Sequence, residues 1–97
     1  MRKFIVLAVL AACATPAIAD VKSGYEMWQR GDYYSAVKEW RPLAIAGDAE
    51  AQYNLAQAYK LGRGLPVDLK MAEGWYAKAA AQGNSPARDN YGLILFQ

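Results

Sequence analysis

Residues 51–59 read AQYNLAQAY, residues 62–68 read GRGLPVD, residues 72–80 read AEGWYAKAA and residues 82–84 read QGN. The spacing within this stretch dictates the architecture. Ala51, Leu55, Ala58 and Tyr59 recur at steps of three and four, which places them on one face of an α-helix. Leu69, Ala72, Trp75, Tyr76, Ala79 and Ala80 repeat the pattern. Between the two runs, Gly62, Gly64 and Pro66 mark a loop, and Asp68 stands where a helix needs its N-cap. Gly83 ends the second run. The spacing therefore predicts one helix starting at Asp48, a loop, and a second helix starting at Asp68.

On either side of this stretch the pattern recurs. Asp32 and Asp68 stand 36 residues apart, and the same displacement carries Ala36 onto Ala72, Trp40 onto Tyr76, Gly47 onto Gly83, Asp48 onto Asn84, Ala51 onto Ala87 and Asn54 onto Asn90. Cap types land on cap types and helix-ending glycines on glycines, the mark of an internal repeat. Upstream of Asp32 the register breaks, because the first unit has the shorter linker. Helices are predicted from Val21 to Arg30, from the N-cap Asp32 to Gly47, and from Asn84 or Ser85 to the end, with Pro86 in a first turn where its missing N–H does no harm. Pro42 is expected to kink the second helix near Trp40. No segment alternates as a half-buried strand does, so the chain reads as all-α. Alanines at 51, 56, 58, 72, 79 and 80 let helices approach closely, and Trp40, Trp75 and Tyr76 are expected to fill the core. One helical hairpin cannot bury both faces, so the units must stack into a short solenoid.

These residues resemble the Sel1-like repeat, a relative of the tetratricopeptide hairpin. That family has A-x-x-x-L-G-x-x-Y in its first helix, a G-x-G-V loop, and W-Y-x-K-A-A-x-x-G in its second. Ala51, Leu55 and Tyr59, then Gly62 and Gly64, then Trp75, Tyr76, Lys78, Ala79, Ala80 and Gly83 stand at those places. Ala56 occupies a usual glycine position, and Leu65-Pro66-Val67 replaces a tighter loop. Residues 48–83 carry the specific motif, residues 20–47 look like a degenerate first unit, and residues 84–97 look like the first helix of a third. The resemblance implies a non-catalytic bacterial adaptor that holds a protein or peptide. Some such proteins carry a further peptidoglycan-binding domain, so a cell-envelope structural protein with cell-wall association is the alternative. Leu93, Ile94, Leu95 and Phe96 give the last helix an apolar face where a terminal repeat needs a polar one, so the chain is expected to be cut short after Gln97.

The first 19 residues read differently. Arg2 and Lys3 precede an uncharged run from Phe4 to Ala14, and Ala17-Ile18-Ala19 forms an A-x-A cleavage site. This is the pattern of a secretory signal peptide, and the apolar run is too short to span a membrane. Cleavage after Ala19 would deliver the chain to the periplasm. A rival site exists in Leu10-Ala11-Ala12-Cys13, which resembles a lipobox and would leave a lipoprotein anchored at Cys13. Arg2 and Lys3 are two of the eleven basic residues, so residues 20–97 hold nine basic and nine acidic side chains. A neutral chain offers no electrostatic footprint for nucleic acid.

Catalysis finds no support in these residues. There is no His, and Cys13, the one cysteine, lies in the signal. Asp32, Asp48 and Asp68 are accounted for as caps, and Ser23, Ser35 and Ser85 have no base, so no nucleophile–base–orienter set can be assembled. Gly62-Arg63-Gly64 follows a helix and lacks the strand–turn–helix setting of a dinucleotide fingerprint. Arg30-Gly31-Asp32 is a helix stop followed by a helix start. No cofactor or metal is implied. The candidate partner-binding residues are Gln52 and Tyr53 on an open helix face, Tyr91 on the last helix, and Lys60 with Arg63 as a basic rim for an acidic peptide. Lys60 and Arg63 also suit the simpler task of neutralising a helix C-terminus.

Overall fold

The computed structural model describes residues 20–95, and every element among them is helical. The elements are α1 (Val21–Gln29), α2 (Tyr33–Ile45), α3 (Ala49–Leu61), α4 (Leu69–Ala81) and α5 (Ser85–Leu95). The signal segment with Cys13 and Ala19, and the terminal Phe96 and Gln97, lie outside the described residues.

Each helix begins where a short polar side chain accepts an otherwise unpaired backbone N–H. The Asp32 carboxylate accepts from Ser35 N at 3.4 Å, Asp48 from Ala51 N at 2.9 Å, Asp68 from Met71 N at 3.0 Å, and the Asn84 amide oxygen from Ala87 N at 2.9 Å. Asp20 does the same for α1, accepting from Lys22 N at 2.9 Å. The α3–α4 loop needs glycine twice. Gly62 and Gly64 have φ of 69° and 82°, and a Cβ on Gly64 would lie 2.6 Å from the Tyr33 carbonyl oxygen. That loop therefore runs directly against the start of α2. The helix α2 continues through Pro42 and closes three residues later, at Ile45.

Helices pack on their neighbours in sequence, α1 on α2, α2 on α3, α3 on α4 and α4 on α5. Two apolar clusters result. Ala36, Val37, Trp40 and Ala44 of α2 meet Ala51, Leu55 and Ala58 of α3 in the first. Ala56 of α3 meets Ala72, Tyr76 and Ala79 of α4 and Ala87 of α5 in the second. Tyr59 and Trp75 pack against both, so the two layers are continuous. Trp40 and Tyr76 are fully buried, as their equivalent repeat positions require, whereas Trp75 keeps one part at the surface. Alternating alanines with these large rings lets the helix axes approach while the rings fill the space between them.

Gly24 sets how close α1 comes to α2. A Cβ there would fall 2.4 Å from Trp40 Nε1. The same indole N–H donates to the Val21 carbonyl at 3.0 Å, which satisfies the ring's polar end inside the interface.

A groove across the first helices of each unit

The helices that open the repeat units, α1, α3 and α5, line a groove made of two adjoining hollows. Its first part, about 270 Å³, is walled by Tyr25 and Trp28 of α1, Trp40 of α2, and Tyr53, Asn54 and Gln57 of α3. The second, about 450 Å³, is walled by Tyr25, Glu50, Tyr53, Asn54, Asn84 and Pro86, and so continues from α1 and α3 to α5. Tyr25, Tyr53 and Asn54 are shared by both. The walls are aromatic rings and side-chain amides, with Glu50 as the single charged group among these residues.

Local packing fixes the groove's floor. The Tyr53 ring rests against Tyr76 at 5.8 Å between centroids, tilted by 53°. Tyr76 donates its hydroxyl hydrogen to Gln57 Oε1, so the buried phenol orients a groove amide. Burial raises the pKa of both phenols above the ordinary 10.0, and in Tyr76 the charge that Tyr53 would carry adds to the effect. Tyr76 is fully buried beneath the groove, and Tyr53 is the ring of this pair that lines it. Trp28 is held edge-on to Tyr33 at 4.8 Å and tilted against Trp40 at 5.4 Å.

Of the residues singled out from the sequence, Tyr53 lines both parts of the groove. Gln52 does not, and that expectation is corrected: it is 5% exposed, its Nε2 donates to the Ala44 carbonyl at 3.1 Å, and its Oε1 accepts from Gln82 Nε2 at 3.1 Å. Gln82 also donates to the Gly47 carbonyl at 2.8 Å. The two glutamines thus add side-chain donors to carbonyls at and just past the end of α2, that of Ala44 also accepting from Gly47 N at 3.1 Å. Gln52 adjoins Tyr53 in sequence, but one position is about 100° around a helix and reaches the opposite layer.

The basic rim also dissolves into two separate contacts. The Lys60 ammonium donates to Asn90 Oδ1 at 2.8 Å, tying α3 to α5. The Arg63 guanidinium lies over the rings of Tyr33 and Trp28 at 5.2 and 5.9 Å, tying the α3–α4 loop to the first hairpin. The two cations point to different neighbours, and neither lines the groove. Tyr91 packs against the second core cluster. Sequence reading missed Tyr25, half exposed, together with Asn54 and Gln57. Tyr25 and Trp28 share a helix face at a step of three, which is a signal, but the repeat register breaks in the first unit and hid which face that was.

Among the described residues no three His, Cys, Asp or Glu side chains gather as a metal site, and no helix is long and apolar enough to cross a membrane. The phenols, two indoles and amides of the groove suit holding a chain in place.

Residues 49–84 match the family model of the Sel1 repeat. Over 89 residues the chain is 37% identical to an alginate biosynthesis protein, AlgK, of Azotobacter vinelandii. That alignment covers 92% of this chain and 19% of the relative, so the chain spans about a fifth of the length of the curated protein it matches. No solved structure matches it.

Proposed function

Because the chain carries a Sel1 repeat, we propose that it is a periplasmic adaptor holding a protein or peptide partner along the groove of α1, α3 and α5. The observation that supports this reading is the shared wall of Tyr25, Tyr53 and Asn54 with Trp28 and Gln57. Rings supply flat apolar contact at low entropic cost, and amides pair with the N–H and C=O groups of an extended chain. The A-x-A site ending at Ala19 supports export. Residues 20–47, 48–83 and 84–97 act in this reading as a first hairpin, a complete repeat and the opening helix of a further unit. The likeness to an alginate biosynthesis protein supports a partner that takes part in alginate biosynthesis.

Site-specific photocrosslinking tests the groove. A crosslinker at Tyr53 or Gln57 is expected to capture a discrete partner in the periplasmic fraction. A crosslinker at Tyr34 or Met71, exposed on other helices, is expected to capture none. Equal capture from all four positions would remove the groove as the binding surface. A second reading, a lipid-anchored envelope protein, has its support in Leu10-Ala11-Ala12-Cys13, and metabolic labelling with a fatty acid distinguishes it.

A further inference from the structure

The structure points to Asp20 as a maturation switch, and we propose that cleavage after Ala19 lets its freed α-ammonium pair with Glu39 and clamp α1 onto α2. This rests on the export reading above. Three contacts converge where the described fold begins. Asp20 is the N-cap of α1, its carboxylate accepting from Lys22 N at 2.9 Å. Its own backbone N–H reaches across to the second helix and donates to Glu39 Oε1 at 3.1 Å. The next residue, Val21, accepts the Trp40 indole N–H at 3.0 Å. The residue that would become the first of the exported chain is therefore already docked on α2 through its nitrogen.

In the precursor that nitrogen is a neutral amide with one hydrogen. Cleavage adds water across the Ala19–Asp20 peptide bond, catalysed by an endopeptidase of the export machinery. The products are a carboxylate on Ala19 and an ammonium on Asp20. The ammonium carries three donors and a full positive charge at the same place, so the contact with Glu39 becomes a charge-assisted hydrogen bond. The positive end of the α1 dipole opposes a cation there. Two carboxylates offset it: that of Asp20 itself on α1 and that of Glu39 on α2. Lys22 is the nearest cation in sequence on α1. On α2, the Lys38 ammonium is drawn 5.5 Å over the Tyr34 ring. The added attraction exists only after processing, so the first hairpin is held less firmly in the precursor, which must cross the membrane, than in the product.

The test begins with the mass of the exported product of the full chain, expected to start at Asp20. A product starting at Cys13 overturns the proposal, because Asp20 would keep its amide. An uncut chain overturns the export reading and the proposal with it. Thermal unfolding then compares the processed protein with the same chain carrying one glycine ahead of Asp20, each with and without Glu39→Gln. The processed protein is expected to melt about 2–5 °C above the glycine-extended one, and Glu39→Gln is expected to abolish that difference. The carboxylate favours the charged amine, so while Glu39 is ionised the advantage is full below the ordinary α-amino pKa of about 8 and fades as pH rises through and beyond it. Equal melting of the two chains, or a difference that survives Glu39→Gln, would show that the contact gains nothing from the free amine.

Discussion

At the level of single residues, two glycines make opposite predictions. Gly24 leaves room for the Trp40 indole, and a methyl group there would overlap it at 2.4 Å. Gly24→Ala is expected to cost about 1–3 kcal/mol by forcing α1 off α2, read as a lower urea midpoint. Gly74, in mid-helix with nothing within 4 Å of where its Cβ would be, should behave in the reverse sense. Gly74→Ala is expected to stabilise by about 1 kcal/mol, because alanine loses less backbone entropy in a helix. If both substitutions shifted the midpoint in the same direction, close packing at Gly24 would not be what holds the first hairpin. The phenols predict a pH response. Folding raises the pKa of Tyr53 and Tyr76, so the unfolded chain loses those protons first as pH climbs. Their contribution is present in full below pH 10.0, the ordinary phenol value, and is lost as pH rises above it. Tyr76→Phe, which also gives up the bond to Gln57, is expected to cost about 1 kcal/mol at neutral pH and to flatten the alkaline loss. An unchanged alkaline slope in that variant would rule Tyr76 out as its source.

Among the helices themselves, first residues matter more than lengths. Asp48 and Asp68 accept backbone hydrogens at 2.9 and 3.0 Å, whereas Asp32 accepts at 3.4 Å. Asp48→Ala and Asp68→Ala are each expected to cost about 1 kcal/mol, and Asp32→Ala less, by chemical denaturation. A larger loss at Asp32 would show that cap geometry is not what decides these helix starts. The connections matter as much as the caps. Arg63 stacks over Tyr33 and Trp28, and Gly64 touches the Tyr33 carbonyl, so the α3–α4 loop fastens the second unit to the first. Lys60 to Asn90 performs the equivalent task between α3 and α5. The cations expected to receive an acidic partner are thus engaged in joining the units.

Across the described chain, each helix depends on its sequence neighbours, and the interior divides into two clusters joined through Tyr59 and Trp75. Stability in such a stack is close to a sum of units and interfaces, so opening is local and graded. Amide exchange is expected to be slowest around Leu55 and Tyr76, which are fully buried at the two cluster centres, and faster in α5, which packs on α4 alone among its sequence neighbours. Uniform protection across α1 to α5 would show one cooperative block instead. Trp40→Ala, removing the largest buried side chain of the first cluster, is expected to cost about 3–5 kcal/mol and to release α1 and α2 before α4.

The all-helical class, the helix starts at Asp32, Asp48 and Asp68, and the buried Trp40 and Tyr76 are all legible in residue spacing, because caps and helical periodicity act over a few residues of chain. The same locality is why each of these aspartates reads as a cap from its position alone. The groove is not legible in the same way. Whether Gln52 or Tyr53 faces outward, whether Lys60 and Arg63 stand together, and whether Tyr25 meets Tyr53 across the gap between α1 and α3 depend on how hairpins stack. Stacking is set by contacts between residues far apart in the chain, and a break in repeat register upstream of Asp32 removes the one local clue to it. Residue order was enough to define each helix and its ends. Which face of a helix stays open was settled in three dimensions, because that choice belongs to the neighbouring helices that cover the rest.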